Sequence, residues 1–228
     1  MANLGAIVLD PGHGGRTKVG GSSPNNATSI SGELEKNLAL DFCKRLKSEL
    51  ESQAAAAGDK VDVFLTRTTD VNVGITARAN VAGAKKAKLF LSLHFNGFTK
   101  PSARGVETFF AAAANGNANE ADDKAFATQI HKALLAGMKS VDPTATDRGV
   151  KPDTATGPGK LGTLNDVALG NVGKPTAKKC LAAYFEVEFI TNPTVEKVLI
   201  SGPGATANRT KVMASVATAM LARIRTMP

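Results

Sequence analysis

Tryptophan is absent from this 228-residue chain, tyrosine occurs once, at Tyr184, and cysteine only twice, at Cys43 and Cys180. Without aromatics interleaved among its basic residues, the chain lacks the stacking platform used to bind single-stranded nucleic acid. Two distant cysteines with no CxxC spacing make no disulfide framework. Cys43 falls on the apolar stripe of an expected helix, where a free cysteine behaves as a small buried hydrophobe. No apolar run approaches the roughly 18 residues of a membrane span. The N-terminus enters an apolar strand within a few residues of Met1, without the basic and apolar regions of a secretory signal. A His-Glu-x-x-His helix is also missing, which argues against the common zinc endopeptidases.

What is present is ordinary for a globular protein. Hydrophobic residues make up 43 %, and the length suits one α/β domain over residues 1–228 better than two. The formal charge of +8 favours polyanions in general. The lysines and arginines are scattered, so an anionic cell wall suits this charge as well as nucleic acid does, and no specific nucleic-acid binding is expected.

Apolar periodicity predicts strands at Ala6–Leu9, Val61–Leu65, Lys88–Leu93, Gly105–Phe110 and Leu181–Phe189. It predicts helices at Lys36–Leu50, from Asn72 to about Lys86, at Glu120–Lys139 and at Arg209–Ile224. Alternating strands and helices imply a mainly parallel, doubly wound sheet flanked by helices. Glycine and proline cluster between Asp153 and Lys179, the longest expected loop, which reads as a cleft wall.

Three of these strands end on chemistry. Ala6–Leu9 leads into Asp10-Pro11-Gly12-His13-Gly14-Gly15. Leu89–Leu93 leads into His94-Phe95-Asn96, and Cys180–Phe185 leads into Glu186-Val187-Glu188-Phe189. In open α/β sheets, ligands collect in the crevice outside the carboxyl ends of the strands. Two histidines and an acid are the ligand set of many catalytic zinc sites, which keep a fourth position for water. Taken singly, each residue has a plainer reading: His13 as a turn histidine, His94 as a core histidine, and Glu33 or Glu35 as first-turn acids complementing a helix dipole. Glu186 and Glu188 should share one strand face, where buried acids need pairing or protonation. His131, within the long helix, reads as structural or solvated.

The ordered set Asp10-Pro11-Gly12-His13-Gly14-Gly15, Glu35-Lys36-Asn37, Ser92-Leu93-His94-Phe95-Asn96 and Glu186 to Pro193 resembles the zinc-dependent N-acetylmuramoyl-L-alanine amidases of bacterial cell separation and of phage endolysins. Leu65-Thr66-Arg67-Thr68-Thr69-Asp70, Arg78-Ala79-Asn80, Arg104-Gly105-Val106-Glu107 and Asp147 to Lys151 agree, so the resemblance spans nearly the whole chain. It implies one Zn2+ per chain, held by His13, Glu35 and His94, with Glu186 as the catalytic acid–base and Glu188 standing where the family usually has glycine. Substrate contacts are expected from Glu188, Arg148 and Asn96, and structural roles from Arg67 and Arg78. The implied substrate is peptidoglycan, cut between N-acetylmuramic acid and L-alanine, by a monomer acting at the bacterial cell wall. Some relatives carry an inserted helix that blocks the site; the short run from Phe110 to Glu120 predicts none here. Rival readings are a zinc peptidase or carboxypeptidase acting on wall peptides, and an inactive wall-binding module.

Overall fold

Six strands form the central sheet of the computed structural model, which describes residues 2–172 and 180–228. They are β1 (Ala2–Pro11), β2 (Asp59–Leu65), β3 (Leu89–Asn96), β4 (Val106–Phe110), β5 (Asp147–Pro152) and β6 (Leu181–Phe189). Their order across the sheet is β2-β1-β3-β6-β4-β5. The first four in that order are parallel, whereas β4 runs antiparallel to β6 and parallel to β5. The sheet is therefore mixed and mostly parallel. The carboxyl ends of β1, β3 and β6 lie side by side, with Pro11 opposite Leu93 and His94 opposite Glu186.

The central strands are buried on both faces, which is why they read as continuous apolar runs rather than as alternating ones. One face packs Ile7, Leu9, Leu89, Leu91, Leu93 and Phe185 against three long helices. These are α1 (Glu35–Ala56), α3 (Glu120–Val141) and the C-terminal helix Ala205–Arg225. In α1, Leu38, Phe42, Leu46 and Leu50 recur at helical spacing and are all buried. Cys43 lies fully buried among them as a free thiol.

The other face departs from the expected helical layer. Val8, Phe90 and Ala182 are covered by the short helix α2 (Ile75–Ala84) and by Leu164 and Leu169, which come from an irregular stretch containing three 3-10 turns. Two buried aspartates tie that stretch down. Asp153 accepts from the backbone N–H of Ala112 and Leu161 and from the side chains of Asn115 and Asn165. Asp123, at the start of α3, accepts from Ala182 N–H, Asn117 and Asn171. The expected loop is thus an ordered layer as far as residue 172; residues 173–179 lie outside those described. Strand β5 was not expected, because Asp147-Arg148-Gly149-Val150-Lys151-Pro152 carries no apolar alternation. It is an edge strand, only partly buried, and needs none.

Candidate metal centre

His13 leaves β1 on a sharp turn. Its own φ is 59°, a left-handed value that is uncommon away from glycine. Two buried arginines over-determine that conformation. Arg67 donates to the carbonyls of Pro11 and Gly12, and Arg78 to those of Pro11 and His13. Arg78 also pairs with Asp10 at 2.7 Å, both side chains being buried. Burial alone would raise the Asp10 pKa, but Arg78 and the hydroxyls of Thr66 and Ser92 hold it below the usual carboxylate value. Gly12 must lack a side chain, since a Cβ there would lie 2.2 Å from the His94 ring.

The turn brings His13 to Glu35 and His94. His13 Nε2 lies 3.0 Å from Glu35 Oε1, His94 Nδ1 lies 3.1 Å from the same oxygen, and the two ring nitrogens are 3.1 Å apart. Three donor atoms from three elements thus form a near-equilateral triangle. At zinc–nitrogen distances of about 2.0–2.1 Å, one face of a tetrahedron has edges of about 3.3 Å, so this triangle matches the ligand face of a four-coordinate metal. Among the described residues, it is the one such group of histidine, cysteine or acidic side chains.

Outer contacts orient each donor. His13 Nδ1 faces the Ser23 carbonyl at 3.1 Å and the Ser23 hydroxyl at 2.9 Å. A proton on Nδ1 directed at that carbonyl leaves Nε2 with its lone pair toward the triangle. Glu35 Oε1 accepts from Phe95 N–H and Oε2 from Ala27 N–H. Burial opposes the Glu35 charge, yet the adjacent imidazoles of His13 and His94 hold its pKa at about 2. Burial likewise lowers the His94 pKa, favouring the neutral imidazole that a metal needs. Glu33 points elsewhere, accepting from Asn37.

Glu186 sits opposite His94 across the β3–β6 ladder, and its Oε2 is buried without a hydrogen-bond partner. Burial first, and then the charges of Glu35 and Glu107, push its pKa well above the carboxylate range. Glu188 does not share its surroundings. The register slips by one residue between His94/Asn96 and Glu186/Phe189, and such a bulge breaks the two-residue alternation on which a shared face depends. The Glu188 carboxylate instead accepts from the backbone N–H of Gly105 at 2.6 Å and of Phe189 at 2.9 Å, and pairs with Arg104 at 3.3 Å. Asn96 and Arg148 meet on Glu107, through Asn96 Nδ2 at 3.1 Å and Arg148 Nε at 3.0 Å, with Lys151 on the same carboxylate. His131 is buried between Thr108 and Asp147, 2.9 Å from each.

Two clefts open on the triangle. One, of about 300 Å³, is bounded by His13, Ser23, Ile75, His94 and the Pro158–Thr163 stretch. The other, of about 480 Å³, is bounded by Asn26, Glu35, Asn96, Phe98, Glu186 and Thr191. Tyr184 borders both. Its importance was not drawn from the sequence, although it is the lone tyrosine and precedes Glu186 by two on the same strand. Ser23 and Glu107 were also missed. Ser23 reaches His13 through an irregular loop, which carries no periodic signal.

The chain as a whole is similar to known proteins. The sequence profile described as N-acetylmuramoyl-L-alanine amidase matches residues 7–222. The N-acetylmuramoyl-L-alanine amidase AmiA of Salmonella typhimurium is 29 % identical over 242 residues, covering 94 % of this chain and 74 % of that protein. The endolysin of Bacillus phage SPP1 is 31 % identical over 151 residues, 65 % of this chain and 50 % of its own length. The catalytic domain of CwlV, an N-acetylmuramoyl-L-alanine amidase from Paenibacillus polymyxa, shares the fold with a TM-score of 0.70 at 23 % identity, over 98 % of this chain and 99 % of that one. No helix among the described residues is long and apolar enough to cross a membrane. With its His-Glu-His triangle at the carboxyl ends of a mixed α/β sheet and a profile match over almost its full length, this chain belongs to the N-acetylmuramoyl-L-alanine amidase family.

Proposed function

We propose that the chain is a zinc-dependent peptidoglycan amidase that hydrolyses the amide between the lactyl group of N-acetylmuramic acid and L-alanine. The observation that carries this reading is the triangle of His13, Glu35 and His94 with the partnerless Glu186 oxygen beside it. His13 Nε2, Glu35 Oε1 and His94 Nδ1 would hold one Zn2+ per chain, in a single catalytic domain over residues 1–228. A metal bound there supplies Lewis acidity, lowering the pKa of water toward about 7 and polarising the scissile carbonyl.

The protein's own groups handle the proton. The Glu186 carboxylate accepts it from the attacking water, and burial and the neighbouring acids raise its affinity for that proton. It then delivers that proton to the leaving amine of L-alanine, which would otherwise depart as an unstable anion. The two clefts give an extended substrate a path on either side of this centre. Arg148 and Asn96, which both contact Glu107, would meet the stem peptide or glycan. Glu188, engaged with Gly105 N–H, would influence substrate fit only through the start of β4.

The chain would work as a monomer on the bacterial cell wall. Mass analysis of peptidoglycan digested by purified protein tests this: release of intact stem peptides with a free L-alanine amine is expected. Cleavage within the stem peptide would instead identify a wall peptidase, and no cleavage by metal-loaded protein would leave a binding module.

A further inference from the structure

Tyr184 lies against two groups that the proposed chemistry uses. Its ring stacks on the His94 imidazole with centroids 4.3 Å apart and planes 15° from parallel, and it makes a T-shaped contact with Phe109 at 6.3 Å. Two residues along the strand, Glu186 borders the larger cleft together with Tyr184. Glu186 Oε2 is buried without a hydrogen-bond partner, so nothing among the described hydrogen bonds fixes the orientation of this carboxyl. Tyr184 also separates the two clefts, bordering both.

We infer that Tyr184 is a positioning residue: its ring fixes the plane of the ligand His94. An imidazole whose orientation is set by neighbours binds metal with less ordering still to be done, and loss of such outer contacts costs metal affinity.

The inference rests on the amidase reading, and two substitutions test it apart from that reading. Tyr184→Phe keeps the ring; Tyr184→Leu removes it. Metal affinity is measured by titration of the metal-free protein, and the visible spectrum of the Co2+-substituted protein reports the ligand geometry without any substrate. Tyr184→Phe should keep the wild-type spectrum and metal affinity. Tyr184→Leu should change the Co2+ spectrum and weaken metal binding by about 10- to 100-fold. Restoration of the spectrum by phenylalanine but not leucine distinguishes ring stacking from general loss of packing. An unchanged spectrum in folded Tyr184→Leu overturns the inference. A wild-type protein that binds no metal would instead overturn the reading of the site itself.

Discussion

Arg78 and Asp10 form a buried ion pair, 2.7 Å between Nη1 and Oδ1, directly beneath the turn that presents His13. The same guanidinium also donates to the carbonyls of Pro11, His13 and Val73. It therefore neutralises an acid and anchors a metal ligand at once. Replacing Arg78 by methionine strands the Asp10 charge and takes the guanidinium donor from the carbonyls of His13 and Val73, while Pro11 keeps Arg67. Such breaks typically cost about 3–5 kcal/mol, so denaturant unfolding should show a loss of that order. Metal content should fall with it, because the His13 turn loses its anchor. A variant with wild-type stability and metal content would remove the pair from this role.

The triangle predicts a clean contrast between neighbouring acids. Alanine at His13, Glu35 or His94 should lower metal content and hydrolysis together, while Glu33→Ala should change both little. Chelation should abolish hydrolysis and leave the circular dichroism of the fold in place, since the helices pack on a core that needs no metal. Elemental analysis beside an activity assay checks each variant.

Glu186 and Glu188 should fail in different ways. Glu186→Gln keeps the volume and removes the proton acceptor, so turnover should drop by about 10²–10⁴-fold with metal retained. Glu188→Gln weakens the acceptor for Gly105 N–H and the partner of Arg104. The main loss should be stability, about 1–3 kcal/mol, with a smaller effect on turnover. If Glu188→Gln is inactive but as stable as the wild type, the roles are exchanged.

Asp123 gives a pH test away from the site. Burial raises its pKa to about 6, although it receives hydrogen bonds from Ala182 N–H, Asn117 and Asn171. A carboxyl that holds its proton more tightly folded than unfolded favours the folded state at low pH, and that contribution is lost as pH rises from about 4 through 6. Its carboxyl carbon should titrate near pH 6 by NMR. Removing the ionisable group with Asp123→Asn should flatten that part of the stability–pH curve.

Between β4 and α3 the chain forms only a three-residue 3-10 turn, Ala113–Asn115. Purified protein should therefore hydrolyse its substrate without an activating partner. Strong stimulation by such a partner in a turbidity-clearing assay would contradict this.

Much of this was legible in sequence because it is local or periodic. The strand ends carrying His13, His94 and Glu186 stand out as apolar runs that stop at a polar group, and the α1 stripe from Leu38 to Leu50 declares its buried face. The separate surroundings of Glu186 and Glu188, expected to share one strand face, were not legible. They depend on a one-residue bulge against β3, and a bulge depends on pairing with another strand rather than on its own residues. Strand β5 was hidden for a related reason, since an edge strand of charged residues and glycine is held by its neighbour's ladder. The second layer of the sheet was least legible, because its cohesion comes from Asp153 and Asp123 bonding groups tens of residues away.

That layer has a consequence for how such an enzyme can diversify. The stretch after β5 contributes Leu164 and Leu169 to the roof over Val8 and Phe90, and Pro158 to Thr163 to a wall of the smaller cleft. Roof and wall are one piece of chain, cross-braced to β4 and to the start of α3. Recutting that wall to admit a bulkier ligand would expose the apolar sheet behind it, so selection on ligand shape is coupled there to selection on folding. The opposite bank, built from Asn26, Thr28, Phe98 and Thr191, covers little of the core and carries no such coupling. Variation that retunes recognition should accumulate on that bank, while the Pro158–Thr163 side drifts slowly.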